Sequence, residues 1–388
     1  MDAVRREFQQ AFQRFDHWVS RELLPKWAAL GFAESGAALE RFTAAGEPDW
    51  NADKRLRVQA RQLFTLSYGF KNGLIPEGKT LAAGVNRFID TVCHDSLPGY
   101  YPMSVDASDN IKDAHSDLYD IAFFFLAFAW QKSAFNDDSA LDKARALALH
   151  INDVLASEHG GWLEGTYAHN IRRQNPHMHL FEAFLELYAV SKDTFWLDMS
   201  SSVYALFEKH FYDEQHGVLL EYFTTDWQPC PAQGTVVEPG HMMEWVWLLN
   251  QYQRHSGIST EIYQQTLYSN ARRMGLPAGY RWLADTVTPE GEVVSDTFKS
   301  WPMTEWIKAA LVMRDSADAE GADAFITDAS FAINQLIDGF SHPSLPAHYT
   351  YVIAADGSPV EGMMPASTLY HLCMAHQEAR RLNNELTA

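Results

Sequence analysis

His241 and Glu244 stand three residues apart at the head of an apolar run, Met242 to Leu249, that follows the turn-forming pair Pro239-Gly240. At that spacing both project from one face of a helix. Imidazole titrates near neutrality and a nearby carboxylate can orient or charge it, so such a pair is suited to moving protons. Five comparable clusters accompany other apolar helical runs: Arg57 and Arg61; His115 and Tyr119; Asn175, His177 and His179; Trp301 and Glu305; Tyr370 and His371. Polar groups in apolar helices are costly unless paired, and their recurrence at one place in successive segments points to a shared cavity. His177 and His179 diverge by about 200° on a helix, so at most one faces that cavity. His115 also reads as part of a helix start, and a structural Arg61 would be salt-bridged to a carboxylate such as Glu244 or Glu305.

The elements that must position these groups are helical. Helices are expected at about 4–31, 53–72, 79–92, 113–133, 138–157, 176–190, 193–212, 241–255, 259–275, 302–315, 318–340 and 366–383. Two kinds alternate. The segment 138–156 places Leu141, Ala144, Ala148, Ile151 and Leu155 on one stripe, whereas Leu118–Trp130, Met178–Val190 and Met242–Leu249 are apolar nearly all round. The buried kind begins near 54, 115, 177, 241, 302 and 366, a step of roughly 61 to 64 residues that reads as stacked helical hairpins. The predicted fold is all-α: an (α/α)6 barrel of twelve helices in two layers, forming a single domain over 1–388. Short alternating segments, Gly161–Glu164, Val218–Phe223, Tyr280–Leu283 and Tyr349–Ile353, predict β-ribbons over one mouth, with turns at Pro289-Glu290-Gly291 and Asp356-Gly357.

Composition narrows the function. With 50 acidic and 30 basic side chains the formal charge is −20, which disfavours nucleic acid and anionic membranes as partners. Cys93, Cys230 and Cys373 lie far apart, without the spacing of a disulfide framework or structural zinc site. The charged start of the chain and the absence of a membrane-length apolar run lead to the expectation of a soluble, cytoplasmic protein. Aromatic residues make up 13% of the chain, enough for rigid walls around a sugar ring as well as for a large core. No HExxH, GxSxG or Gly-rich phosphate loop is present, so no metal or nucleotide cofactor is expected.

Six stretches in order resemble the N-acylglucosamine 2-epimerase superfamily over about residues 54–376. They are Gln59–Phe64, Asp117–Phe123, Asn175–Ala183, Pro239–Trp245, Trp301–Glu305 and Tyr370-His371. The Pro-Gly-His turn followed by Glu244-Trp245 is most similar to the mannose isomerase branch. The resemblance implies an (α/α)6-barrel enzyme that interconverts D-mannose and D-fructose, with D-lyxose and D-xylulose as a further pair, through an enediol. It implies His371 as the C2/C1 acid–base and His241 as the group for ring opening and oxygen-side proton exchange, with Glu244 orienting or charging it. Arg61, Tyr119, Asn175, His179, Glu244 and Trp301 match substrate-binding positions. Sulfoquinovose isomerases are similar but carry an arginine ahead of the Pro-Gly-His turn; none occurs here between Arg173 and Arg254. The alternatives are a sugar 2-epimerase on the same barrel, a glycoside hydrolase, which needs two carboxylates across the scissile bond, and a non-catalytic sugar-binding protein. The expected partner is a monosaccharide, and the expected assembly a monomer or homodimer.

Overall fold

The computed structural model describes residues 2–93, 99–342, 344–360 and 362–387. Helix α1 (Asp2–His17) runs through a π-helical turn, Trp18–Leu23, into α2 (Leu24–Leu30), so the first outer helix is continuous. There follow α3 (Leu56–Lys71), α4 (Gly78–Val92), α5 (Leu118–Phe135), α6 (Asp138–Val154), α7 (Gln174–Ser191) and α8 (Thr194–Leu206). The second half contributes α9 (Pro239–Ser256), α10 (Glu261–Gly275), α11 (Trp301–Asp315), α12 (Ala319–Phe340) and α13 (Leu369–Thr387).

Helices α3, α5, α7, α9, α11 and α13 form the inner ring, which closes where α13 packs against both α3 and α11. The outer layer closes where α1 packs on α12 and α13, so the last hairpin is built from the two ends of the chain. This is the (α/α)6 barrel. Inner helices are buried on most sides, and their sequences are accordingly apolar all round; outer helices bury one stripe. Several outer helices start at an aspartate that accepts a hydrogen bond from a first-turn backbone N–H, as Asp137, Asp193 and Asp318 do. Inner helices α5, α7 and α9 end in left-handed residues, Asn136, Lys192 and Gly257, which turn the chain outward.

Short antiparallel ribbons precede the inner helices and therefore cover one mouth. They pair Lys54–Arg55 with Ser104–Val105, Arg172–Arg173 with Tyr222–Phe223, Thr297–Lys299 with Val352–Ala354, and Arg41–Phe42 with Met364–Pro365. These pairings shift two expected boundaries. Because Lys54–Arg55 and Ile111–Asp113 both join Ser104–Val105 in a sheet, α3 begins at Leu56 and α5 only at Leu118. Tyr280–Leu283 is not a strand; Trp282 instead donates its indole N–H to the Gln335 carbonyl at 3.0 Å, anchoring a coil on α12. The glycines of both expected turns, Gly291 and Gly357, adopt positive φ. Among the described residues, no helix is long and apolar enough to cross a membrane.

Candidate active site

Because all six inner helices start beneath the ribbons, their first turns converge on one cavity of about 190 Å³. Its walls include Arg61 of α3, Tyr119 of α5, Asn175 and His179 of α7, His241 and Glu244 of α9, Trp301 of α11 and His371 of α13. The remaining rim candidates lie elsewhere. Since α5 starts late, His115 sits on an exposed loop and bonds Asp113 at 2.9 Å. Arg57 turns to Asp120 at 2.7 Å, and His177 packs away from the cavity, accepting the Trp162 backbone N–H at 3.1 Å. Tyr370 and Glu305 lie behind the wall, on the barrel axis.

Arg61 is not held by a carboxylate. Its two terminal nitrogens donate to the Tyr119 hydroxyl at 2.7 Å and the Ser367 carbonyl at 3.1 Å, while Nε has no protein partner. The guanidinium lies 3.9 Å from the Phe123 ring centroid and 5.2 Å from that of Tyr370, so aromatic faces stabilise the buried cation.

Of the three cavity histidines, His241 and His371 are pushed toward different charge states by their surroundings. His241 Nδ1 lies 3.0 Å from Glu221 Oε2 and 3.5 Å from Glu238 Oε2. Burial alone would lower its pKa, but Glu221, Glu238 and Glu244 outweigh burial and push it up to about 10. Glu244 does not bond the imidazole; the nearest carboxylate is Glu221, on a ribbon. His241 Nε2 faces the Asn175 amide at 3.0 Å, and Asn175 Oδ1 has no partner. Turning that amide over would present Oδ1 to a protonated Nε2, so its two orientations match the two states of the ring. At His371 burial prevails and holds the pKa below the ordinary imidazole value, although Nδ1 bonds Glu305 Oε1 at 2.9 Å. That bond fixes the neutral tautomer, with the lone pair on Nε2. The Trp301 ring bridges the two, its centroid 4.8 Å from His241 and 5.8 Å from His371.

Trp301 reaches this position because residue 240 is glycine: a Cβ there would meet the indole at 2.7 Å. Pro239 at the first helical position supplies a preset φ for the same turn.

Below the cavity three buried carboxylates, Glu182, Glu244 and Glu305, surround one buried ammonium, Lys308. Lys308 Nζ contacts Glu305 Oε2 at 2.5 Å, and Glu305 is held below the ordinary carboxylate range because its burial is outweighed by Lys308 and His371. Glu182 accepts from the Tyr370 hydroxyl and lies 3.2 Å from His179 Nδ1, while burial pushes His179 down to about 4. Glu244 has no hydrogen-bond partner on either oxygen, and burial followed by the nearby Glu305 drives its pKa far up. Burial and Glu305 favour its protonated form, which can donate as well as accept toward the cavity.

Sequence reasoning did not single out Glu221, Glu238, Tyr351, Thr368 or Lys308. Two signals were there: Glu221 is the lone acid in Val218–Phe223, and Lys308 interrupts the apolar run Trp306–Met313, one turn after Glu305. Among the described residues, two groups bring metal-ligating atoms within 4.8 Å of one another, His179 with Glu182 and Glu244, and Glu221 with Glu238 and His241. Their internal contacts at 3.0–3.2 Å, His179–Glu182 and His241–Glu221, are hydrogen bonds.

A double ring of helices around one small polar cavity faced by three imidazoles fits an (α/α)6-barrel protein of the sugar isomerase and epimerase class. The profile of the N-acylglucosamine 2-epimerase (GlcNAc 2-epimerase) family matches residues 37–375, and the chain belongs to that family. It is 32% identical over 370 residues to a protein of Rhizobium meliloti (strain 1021) named mannose-6-phosphate isomerase, covering 93% of this chain and 94% of that one. Among solved structures, a cellobiose 2-epimerase from Spirochaeta thermophila DSM 6192 superposes with a TM-score of 0.87 at 20% identity, covering 98% of both chains. A D-mannose isomerase superposes with a TM-score of 0.79 at 18% identity, over 92% of this chain and 96% of the other.

Proposed function

We propose that this protein is an aldose–ketose isomerase that converts free D-mannose to D-fructose, and D-lyxose to D-xylulose, by proton transfer through an enediol. The observation that carries this reading is that two of the imidazoles facing one small cavity, His241 and His371, are pushed in opposite pKa directions, one toward the cation and one toward the neutral ring. Pairs of titratable groups whose surroundings push their pKa values apart serve as base and acid. In this reading neutral His371 removes the C2 proton of the open-chain aldose through Nε2, while cationic His241 protonates O1. The enediol then loses its O2 proton to His241 and gains a proton at C1 from His371, which restores both rings. Arg61 lies where its fork can hold the enediolate oxygens. His179, Asn175, Tyr119 and Glu244 would bind hydroxyls, and Trp301 would form the floor between the two rings.

The cavity, about 190 Å³, is smaller than the roughly 300–1,000 Å³ of drug-sized pockets, which favours one sugar ring over a disaccharide. The Rhizobium relative is named for a phosphorylated sugar, yet outside the cavity wall, which carries Arg61 and His241, the cations around this mouth are paired with carboxylates. Arg57 bonds Asp120, Arg173 bonds Glu164 and Lys299 bonds Asp285, while Glu238 adds an acid to the wall. That arrangement favours an uncharged substrate.

A 2-epimerase shares the first proton transfer and differs in returning the proton to C2 from the other face. The placement of both histidines against Trp301 suits it as well. Incubation with mannose and with mannose 6-phosphate, with products resolved, tests the proposal: fructose from mannose is expected. Glucose as the dominant first product, or turnover of the phosphate ester alone, would contradict it.

A further inference from the structure

The ribbons carry a repeated device. Glu40 accepts the Arg55 backbone N–H at 3.1 Å and its Nε–H at 2.5 Å, just ahead of α3. Glu164 does the same for Arg173 ahead of α7, at 2.8 and 2.5 Å. Asp285 accepts the Lys299 backbone N–H at 2.9 Å and lies 3.4 Å from its Nζ, ahead of α11. Each of these buried carboxylates thus clamps a ribbon cation near the start of an inner helix. Ahead of α9 the pattern is altered. The residue preceding the helix is Glu238, an acid where the α3 and α7 repeats place Arg55 and Arg173. The corresponding carboxylate, Glu221, pairs with neither Arg nor Lys among the described residues; its Oε2 instead bonds His241 Nδ1 at 3.0 Å and Gln174 Nε2 at 2.9 Å.

We infer that Glu221 is a positioning residue for the sugar reaction, a ribbon clamp redeployed to hold the His241 ring by Nδ1, present Nε2 to the cavity and keep the ring cationic. The assignment rests on the proton-transfer reading of this cavity. Glu221 is buried behind the histidine and off the cavity wall, so it acts through the imidazole and not on the sugar. The charged neighbours are consistent with that role. Glu238 and Glu244 face the ring from its own helix, Asn175 faces it from α7, and His371 lies beyond Trp301; Lys299, paired with Asp285, stands beside Glu238. Glu221 is the member of this set in direct hydrogen-bond contact with Nδ1.

The test compares Glu221→Gln, Glu221→Asp and the equivalent clamp variant Glu164→Gln by histidine-ring NMR titration, with His241 assigned by its loss in His241→Asn. Mannose turnover is followed across pH in the same proteins. In E221Q the His241 titration should move down by at least about one pH unit and kcat should fall on the order of 10–100-fold, with KM within about 3-fold. The alkaline limb of kcat should move down with the ring. E221D keeps the charge with a shorter reach, so the titration stays near wild type and the loss falls on kcat; this variant carries the test if E221Q does not fold. E164Q should leave both titration and profile unchanged. An unshifted ring in E221Q, a wild-type kcat in E221D, or an equal shift in E164Q would overturn the assignment. Failure of the sugar reading is distinguishable, because wild type would then lack turnover while the ring still responded to E221Q.

Discussion

Glu305 hydrogen-bonds Nδ1 of His371 with one oxygen, at 2.9 Å, and forms an ion pair with Lys308 through the other. One carboxylate thereby couples an imidazole on the cavity wall to an ammonium on the barrel axis. Removing the ammonium should therefore disturb more than packing. Lys308→Met leaves Glu305 charged and uncompensated, and breaking a buried pair in this way costs about 3–5 kcal/mol. The double variant Lys308→Met/Glu305→Gln should regain much of that stability in urea unfolding without regaining turnover. Additive losses in the double variant would show that the pair is not coupled.

The pH dependence follows from the two histidines. His371 must be neutral to accept the C2 proton, and its pKa lies below the ordinary imidazole value, so activity falls only as pH drops below about 6.5. His241 must be protonated to donate, and its pKa of about 10 places the alkaline fall there. The kcat/KM profile should be a broad plateau between these limbs. An alkaline fall near pH 7 would contradict the charged state of His241.

Gly240→Ala tests the close approach of α9 and α11. The new methyl would meet the Trp301 indole at 2.7 Å and displace it from between the two rings. Turnover should fall about tenfold or more, since misplacing a wall by about 1 Å can cost up to 10²-fold. Far-UV circular dichroism should be unchanged. Wild-type kcat would remove Trp301 from the account.

Much of the fold was legible because it is local. The inner helices announce themselves by apolar residues on all sides at a regular step, and the cavity groups sit in their opening turns, where Arg61, Asn175, His241 and His371 could be read directly. What escaped was long-range. Glu221 lies 20 residues from His241 and 47 from Gln174, and only ribbon pairing brings them together. The expectation that Glu244 orients or charges His241 followed helix spacing; Glu244 does help raise the ring's pKa, after Glu221 and Glu238, but the hydrogen bond that orients Nδ1 comes from Glu221. His115 was misplaced for the converse reason: sheet pairing of Ile111–Asp113 delays the start of α5.

Exhaustive treatment with a strong chelator should leave mannose turnover intact, because the proposed steps use only imidazole, guanidinium and carboxyl groups. Loss of activity restored by a divalent metal would point to one of the two His/Glu clusters, and His179→Ala and Glu221→Ala would then identify which.

The most direct test is mannose turnover in deuterium oxide followed by proton NMR, with wild type and His371→Asn side by side. The account predicts fructose as the first product, carrying deuterium at C1, and a loss of both exchange and product in the variant on the order of 10²–10⁴-fold. Glucose deuterated at C2 as the first product, or undiminished turnover by His371→Asn, would contradict it.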